Sequence, residues 1–179
     1  ERTVEREVRF GPRNLGLDPA TTERLVDAAL RVTGLAEHRT AHPHDLGPSD
    51  RKLLALASVL AMDPAVLVLD EPTTGQDGPG VERIGAIVEA FAAAGRTVVA
   101  VTHDMRFAAE RFDRVVVMRE GEVVLDGSPA EVFAPARTAT LASAGLTPPA
   151  AARIGARLGL GSTPTVGDLL RSLAGGSRG

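Results

Sequence analysis

Two runs of β-forming residues, each ending abruptly in polar chemistry and separated by a single helical repeat, constrain this chain more than any other feature. Val66-Leu67-Val68-Leu69 ends in Asp70-Glu71-Pro72-Thr73, and Thr97-Val98-Val99-Ala100-Val101-Thr102 ends in His103-Asp104. Between them, Gly80 to Ala94 carries Val81, Ile84, Ile87, Val88 and Phe91 at helical spacing, with Gly95 as the stop. Strand, helix, strand in this order predicts a parallel crossover, and a buried parallel strand is apolar on both faces. Ligand chemistry in such sheets collects at the carboxyl ends of the strands. That edge is where Asp70, Glu71 and His103 emerge. Two adjacent carboxylates there suit nucleotide hydrolysis, one holding Mg²⁺ through its waters and the next polarising the attacking water. Taken singly, an acidic pair can merely end a strand in solvent, and a histidine at a strand end is commonly structural. Their shared edge favours the functional reading.

Composition narrows the field further. The chain has no cysteine, hence no disulfide framework and no cysteine metal site. Its apolar runs are interrupted by charge and too short to span a bilayer, and the amino terminus lacks the profile of a secretion signal. Membrane association is therefore expected to go through protein partners. A net charge of −3 and an aromatic content of 3% argue against nucleic acid. His38, His42 and His44 invite a metal reading, but Pro43 and the polar surroundings indicate loop, and no carboxylate spacing completes a set. Arg31, Arg39, Arg51 and Arg106 read as solvated or interface charges.

The remaining elements are set by local signals. Asp18-Pro19 caps a helix through Leu25, Val26, Ala29 and Leu30 to Gly34. A loop over Ala36 to Leu46 precedes a helix from Pro48 or Ser49 to Met62. After His103 come a short helix through Arg111, a strand Arg114 to Met118, a turn at Glu120-Gly121 and a hairpin partner from Glu122 to Asp126. Ser128-Pro129-Ala130-Glu131 has the form of a capping box. From Pro135 the chain is rich in Ala, Pro and Gly, with helical pieces around Ala150 to Leu158 and Val166 to Leu173, and Gly175 to Gly179 reads as a disordered end. No internal repeat is found.

These motifs together resemble the ATP-binding subunits of ABC transporters. Leu67 to Glu71 is similar to the Walker B strand, Thr74-Gly75-Gln76-Asp77 to the D-loop, and His103 to the switch histidine. Thr3-Val4-Glu5-Arg6-Glu7-Val8 with Phe10-Gly11-Pro12 and Asn14-Leu15-Gly16-Leu17, then Val59-Leu60-Ala61-Met62-Asp63-Pro64 and the tail from Ala144-Gly145-Leu146, resemble the energy-coupling-factor type, which powers uptake of vitamins and of cobalt or nickel ions. The resemblance implies ATP and Mg²⁺ as cofactors. It also implies that Asp70 positions Mg²⁺, Glu71 acts as general base, His103 contacts the γ-phosphate and Asp77 couples two sites across a dimer. The implied partners are a second ATPase subunit, identical or not, a transmembrane coupling protein and a substrate-binding membrane protein, at the cytoplasmic face of the membrane.

The chain departs from the family at three places. A P-loop cradles phosphates with backbone N–H groups and a lysine, yet the only lysine is Lys52, inside a helical run. The family's Q-loop glutamine is missing as well, since the sole glutamine is Gln76. Ungapped alignment back from Asp63-Pro64 puts the signature Leu-Ser-Gly-Gly-Gln on Leu46-Gly47-Pro48-Ser49-Asp50, where only the leucine is kept. In the family this segment opens a helix whose N-terminus binds the γ-phosphate held by the opposite subunit. Pro48 removes a donor and Asp50 adds negative charge there. Gly47 and Ser49 remain candidate nucleotide contacts, and Gly47-Pro48-Ser49 reads equally as a helix-starting turn.

The expected architecture is α/β: a partial P-loop NTPase sheet of ABC type over residues 1–134, with a helical subdomain over 17–64 and a sheet core over 65–134, then a small helical extension over 135–179. The chain is read as the carboxyl-terminal portion of a nucleotide-binding domain, expected to expose unpaired β backbone at Val98 to Val101 and Val115 to Val117. Three function classes are open: an importer ATPase subunit, a soluble ABC ATPase for repair or translation, and a non-catalytic remnant serving as an interaction module. The interval from Val8 to Leu46 has no room for the long heptads of a coiled-coil repair ATPase. The 179-residue chain alone is expected to bind Mg-ATP no more tightly than roughly millimolar. Calorimetric titration checks this, and micromolar binding would require a phosphate site that the sequence does not reveal.

Overall fold

Thr3 opens the first helix, its hydroxyl accepting the Arg6 N–H at 3.3 Å, and α1 runs Val4–Asn14 in the computed structural model, which describes residues 1–175. The sequence does not announce this helix, because Gly11-Pro12 reads as a breaker. Pro12 instead sits in the last turns, and the helix closes at Gly16 (φ +74), whose N–H donates to Arg13 while the Leu17 N–H returns to the Pro12 carbonyl. Val4, Val8 and Pro12, four apart and all buried, carry the helical pattern. Helix α2 (Pro19–Val32) starts as expected, with Asp18 Oδ1 accepting the Ala20 and Thr21 N–H groups, both at 3.0 Å, and Gly34 at φ +72 beyond its end. The loop after it contains two 3-10 turns, Ala36–His38 and Pro43–Asp45. Helix α3 spans Pro48–Leu60.

Helices α1, α2 and α3 pack on one another around Val4, Val8, Val26, Leu30, Leu53 and Ala57. Ion pairs fasten the rim of this bundle. Arg39 donates from the loop to Glu5 at 3.0 Å and to Glu23 at 2.6 Å, and Arg9 pairs with the same two carboxylates. Arg39 also lies 2.7 Å from Asp27 Oδ1, which is buried and makes no well-aligned hydrogen bond, so that contact is an ion pair by distance alone. Arg39 is thus an internal staple across three segments, where the sequence suggests a solvated or interface charge.

Strand β1 (Val66–Asp70), helix α4 (Gly78–Ala93) and strand β2 (Thr97–Val101) form the parallel unit, with Val66 opposite Thr97 and Asp70 opposite Val101. Arg96 secures the start of both strands: it reaches Asp63 at 2.6 Å and the Pro64 carbonyl at 3.2 Å, and stacks over the Phe91 ring at 5.2 Å. Helix α4 packs against β2 and buries Ile84, Ile87 and Val88, while Leu67 is buried in β1. The alternate positions Val66, Val68, Val99 and Val101 lie on the other face and are 48–67% exposed. The sequence predicts two covered faces, and this unit covers one.

The chain divides into two compact units, Glu1–Val101 and Thr102–Gly179. In the second, α5 (Met105–Arg111) precedes a hairpin of β3 (Val115–Arg119) and β4 (Glu122–Gly127), antiparallel with an irregularity between Val117 and Met118. Positive φ at both Glu120 (52°) and Gly121 (84°) suits the two-residue turn. The capping box forms in full, with Ser128 and Glu131 exchanging side-chain to backbone bonds at the start of α6 (Pro129–Val132). Helix α7 (Thr138–Ser143) has no counterpart among the expected elements; α8 (Ala150–Arg157) and α9 (Val166–Gly175) match the expected pieces. Met105, Val115, Val117, Phe133, Leu141 and Ala152 form the core of this unit. Gly175 ends α9 and so departs from the expected disordered end; the rest of that stretch lies outside the described residues. The class is α/β, a small parallel sheet with helices.

The rim ion pairs give a pH signature. Burial raises the Glu5 carboxyl, but the Arg9 and Arg39 guanidiniums outweigh it and hold it below its ordinary 4.5. A carboxylate depressed in the fold contributes stability that is complete above the unfolded pKa and is lost as pH falls through the folded one. Glu5→Gln is therefore expected to lower the melting temperature at neutral pH, and the gap from the native protein is expected to shrink as pH falls below 4.5. Thermal melts across that range check it; a gap independent of pH would show that packing, not charge, carries the effect.

Candidate functional site

The carboxylate edge is built by carrying the β1 ladder one residue past its end. The Glu71 N–H donates to the Val101 carbonyl at 2.8 Å, after which Glu71 turns into the left-handed region at φ +47. A bulky residue held at positive φ persists only where its surroundings over-determine it. Here they do. The Thr74 N–H donates to the Glu71 carbonyl at 3.2 Å, the Thr74 hydroxyl donates to Glu71 Oε2 at 3.2 Å, and Gly75 (φ +70) completes the turn with the Gln76 N–H bonded to the Thr73 carbonyl at 3.1 Å. Asp70 is exposed at the same strand end.

Mg²⁺ in nucleotide sites takes one or two carboxylates and fills its remaining positions with water and phosphate oxygens. Among the described residues, no group of three or more His, Cys, Asp or Glu side chains is placed to hold a metal. A lone exposed carboxylate such as Asp70 fits the water-mediated arrangement and not a closed protein cage. His42 and His44 stack with ring centroids 5.3 Å apart, and His42 Nδ1 accepts the His44 N–H at 3.2 Å.

The start of α3 meets the segment after the carboxylates. Gly47 is its N-cap without a side-chain cap bond, and its carbonyl accepts the Arg51 N–H at 2.9 Å. Ser49 Oγ lies 2.8 Å from Gln76 Oε1 and 3.3 Å from Asp77 Oδ1, and Gln76 Nε2 donates back to the Ser49 carbonyl at 3.4 Å. Asp77 in turn caps α4, accepting the Gly80 N–H at 2.9 Å. Lys52 Nζ donates to the Thr74 carbonyl. The structure thus brings Ser49, Gln76 and Asp77 together and links Glu71 to them through Thr74. His103 belongs to the second unit, where it is exposed between Thr102 and Asp104; the Asp104 N–H donates to Thr102 Oγ1 at 3.0 Å, and Asp104 Oδ1 caps α5 by accepting the Phe107 N–H at 3.0 Å. Sequence reasoning missed the contacts of Lys52 and Gln76. No local signal could have found them, since the contacts join residues 22 and 27 positions apart.

No family model matches the chain. It is 45% identical over 157 residues to the energy-coupling factor transporter ATP-binding protein EcfA2 of Symbiobacterium thermophilum, covering 87% of this chain and 54% of that protein. It is 41% identical over 147 residues to the cobalt import ATP-binding protein CbiO of Rhodobacter capsulatus, covering 82% and 52% respectively. Among solved structures it superposes on cbiO1 from Clostridium perfringens, part of the ABC transporter complex cbiONQ, with TM-score 0.68 and 36% identity, over 87% of this chain and 61% of that one. The chain spans from 24% to 54% of the length of the curated relatives it matches. The fold is that of a partial P-loop NTPase of ABC type.

Gly80 is the tightest point of the node. A Cβ there would lie 2.8 Å from Asp77 Oδ1 and 2.9 Å from Ser49 Oγ, and closer still to Gln76 Oε1, whereas at Gly78 it would meet nothing within 4 Å. Gly80→Ala is expected to push these side-chain ends aside and loosen the Asp77 cap, at a cost of about 1 kcal/mol, and Gly78→Ala to be close to neutral. Urea titration of both variants checks this; equal midpoints would show the node to be freely deformable.

Proposed function

Since the chain belongs to the ATP-binding proteins of ABC transporters, of the energy-coupling-factor and cobalt-import type, we propose that it is the carboxyl-terminal portion of an ATP-hydrolysing subunit that couples hydrolysis to uptake of a vitamin or metal ion. The observation that carries this reading is the Asp70-Glu71 pair at the carboxyl end of the parallel unit, with Glu71 held at positive φ by its own turn. In this reading Glu71 would accept the proton of the attacking water and Asp70 would hold Mg²⁺ through its waters, and the resemblance alone assigns His103 the contact to the γ-phosphate. Mg²⁺, when bound, neutralises charge building on the phosphate oxygens. Asp77 would couple this site to that of a second ATPase subunit, and Gly47 and Ser49 are the positions at which a complete signature would meet its nucleotide. In this reading hydrolysis requires a P-loop supplied from outside these 179 residues.

The partners in this reading are a second ATPase subunit, a transmembrane coupling protein and a substrate-binding membrane protein. Among the described residues, no helix is long and apolar enough to cross a membrane; a peripheral position at the cytoplasmic face is what this reading implies. The Ser49 contacts to Gln76 and Asp77 within one unit favour a second reading, an asymmetric pair in which this subunit's signature is weak and its carboxylate edge is active.

Glu71→Gln tests the reading in the complete subunit, assembled with a partner whose own site is silenced. ATP binding is expected to persist while turnover falls by about 10² to 10⁴. His103→Ala is expected to impair turnover as well. Unchanged hydrolysis in the Glu71→Gln complex would remove Glu71 from the chemistry.

A further inference from the structure

Ser49 lies in the first turn of α3, within the segment that aligns with the signature, and Lys52 follows at the start of the next turn, yet their polar contacts run to the Thr74–Asp77 segment of the same unit. Two links connect them. The first is a two-point clamp: Ser49 Oγ lies 2.8 Å from Gln76 Oε1, and Gln76 Nε2 donates to the Ser49 carbonyl at 3.4 Å. A hydroxyl has one proton, so Ser49 gives it either to Gln76 or to Asp77, and the shorter distance selects Gln76. The second link is a relay, in which the exposed Lys52 ammonium donates to the Thr74 carbonyl and the Thr74 hydroxyl donates to Glu71 Oε2 at 3.2 Å. Gly75 suits the pivot because its φ is +70, a backbone conformation that side-chain-bearing residues rarely adopt.

The relay ends at a residue whose backbone is held in the left-handed region. Glu71 at φ +47 is held by its ladder bond to Val101 and by Thr74, and Thr74 is held by Lys52. We infer that Ser49 and Lys52 are positioning residues for Glu71, acting within their own subunit by fixing the Thr74–Asp77 turn, and that the altered signature helix of this chain has this role in place of a phosphate contact across the pair. The inference rests on the proposed function, in which Glu71 is the base. Neither residue touches the reacting atoms; their effect is on the rate constant and not on nucleotide affinity.

The test uses the complete subunit in its complex, with Mg-ATP, and with the partner's site silenced so that only this subunit's carboxylate edge turns over. Lys52→Met is expected to lower kcat by about five- to thirty-fold, the loss of one charge-assisted hydrogen bond, with KM for ATP within about two-fold of native. Lys52→Arg is expected to restore most of the rate, and Ser49→Thr more of it than Ser49→Ala. Adding Thr74→Val to Lys52→Met is expected to cost little further, as members of one relay are not additive. A native kcat in Lys52→Met, with Glu71→Gln inactive, overturns the relay alone. Native kcat in both overturns the relay together with the proposed function. A second arrangement silences Glu71 and leaves the partner's site active: loss of turnover there on Lys52→Met or Ser49→Ala, with none at this subunit's edge, would show a contact across the pair and overturn the inference.

Discussion

The parallel pairing of Val66–Asp70 with Thr97–Val101 is the constraint on which the rest of the first unit depends. It is fixed at both ends. At the start, Arg96 bridges Asp63 and the Pro64 carbonyl while the Thr97 N–H donates to the Ala65 carbonyl at 3.2 Å; at the finish, the Glu71 N–H reaches Val101. Because side chains alternate along a strand, a slip of one residue would turn Leu67 outward and Val66 and Val68 inward, and would move the carboxylates off the shared edge. The register is therefore a statement about chemistry as well as packing. It puts Asp70 at the end of the ladder and Glu71 just past it.

The turn beyond the ladder explains why that edge keeps one conformation. Glu71 at φ +47 is costly for a residue with a long side chain, and residues in such regions are held by several bonds at once. The segment through Gly75 supplies them, and α4 then begins immediately with Asp77 as its cap. One short segment thus ends a strand, shapes the carboxylate and starts a helix. The amino-terminal part of α3 leans on the same segment through Ser49 and Lys52, so side-chain hydrogen bonds tie it to the turn that follows Glu71.

Features coded by neighbouring residues were legible in the sequence. Asp18-Pro19, the Ser128 to Glu131 box and the Glu120-Gly121 turn each state their geometry within four residues, and the structure has all three. The two strand runs were equally plain, because apolar runs of that length bounded by turn residues have few alternatives. Helix α1 was obscured by a local conflict: Gly11-Pro12 weakens a helix by propensity, but burial of Val4, Val8 and Pro12 against α2 and α3 outweighs it. The φ of Glu71 and the contacts of Lys52 and Gln76 were illegible for another reason. The contacts join residues 22 and 27 positions apart, and nothing in residue type or spacing announces such a pairing.

The open face of the sheet bears on how the carboxylate edge is held. The strands are apolar on both sides in sequence, but only the side of Leu67 is buried, while Val66, Val68, Val99 and Val101 remain 48–67% exposed. Apolar area left in water contributes nothing to holding the pair together, so the stability of β1 and β2 in this unit comes from one face, the ladder and the Arg96 clamp. The bonds that hold Glu71 at positive φ draw on that same pair, since one of them is the ladder bond to Val101. Covering the second face would stiffen the strands and, through the Val101 carbonyl, the backbone of Glu71. The packing of the strands and the orientation of the carboxylate thus share one ladder bond, which ties the geometry of the carboxylate edge to the packing of the sheet.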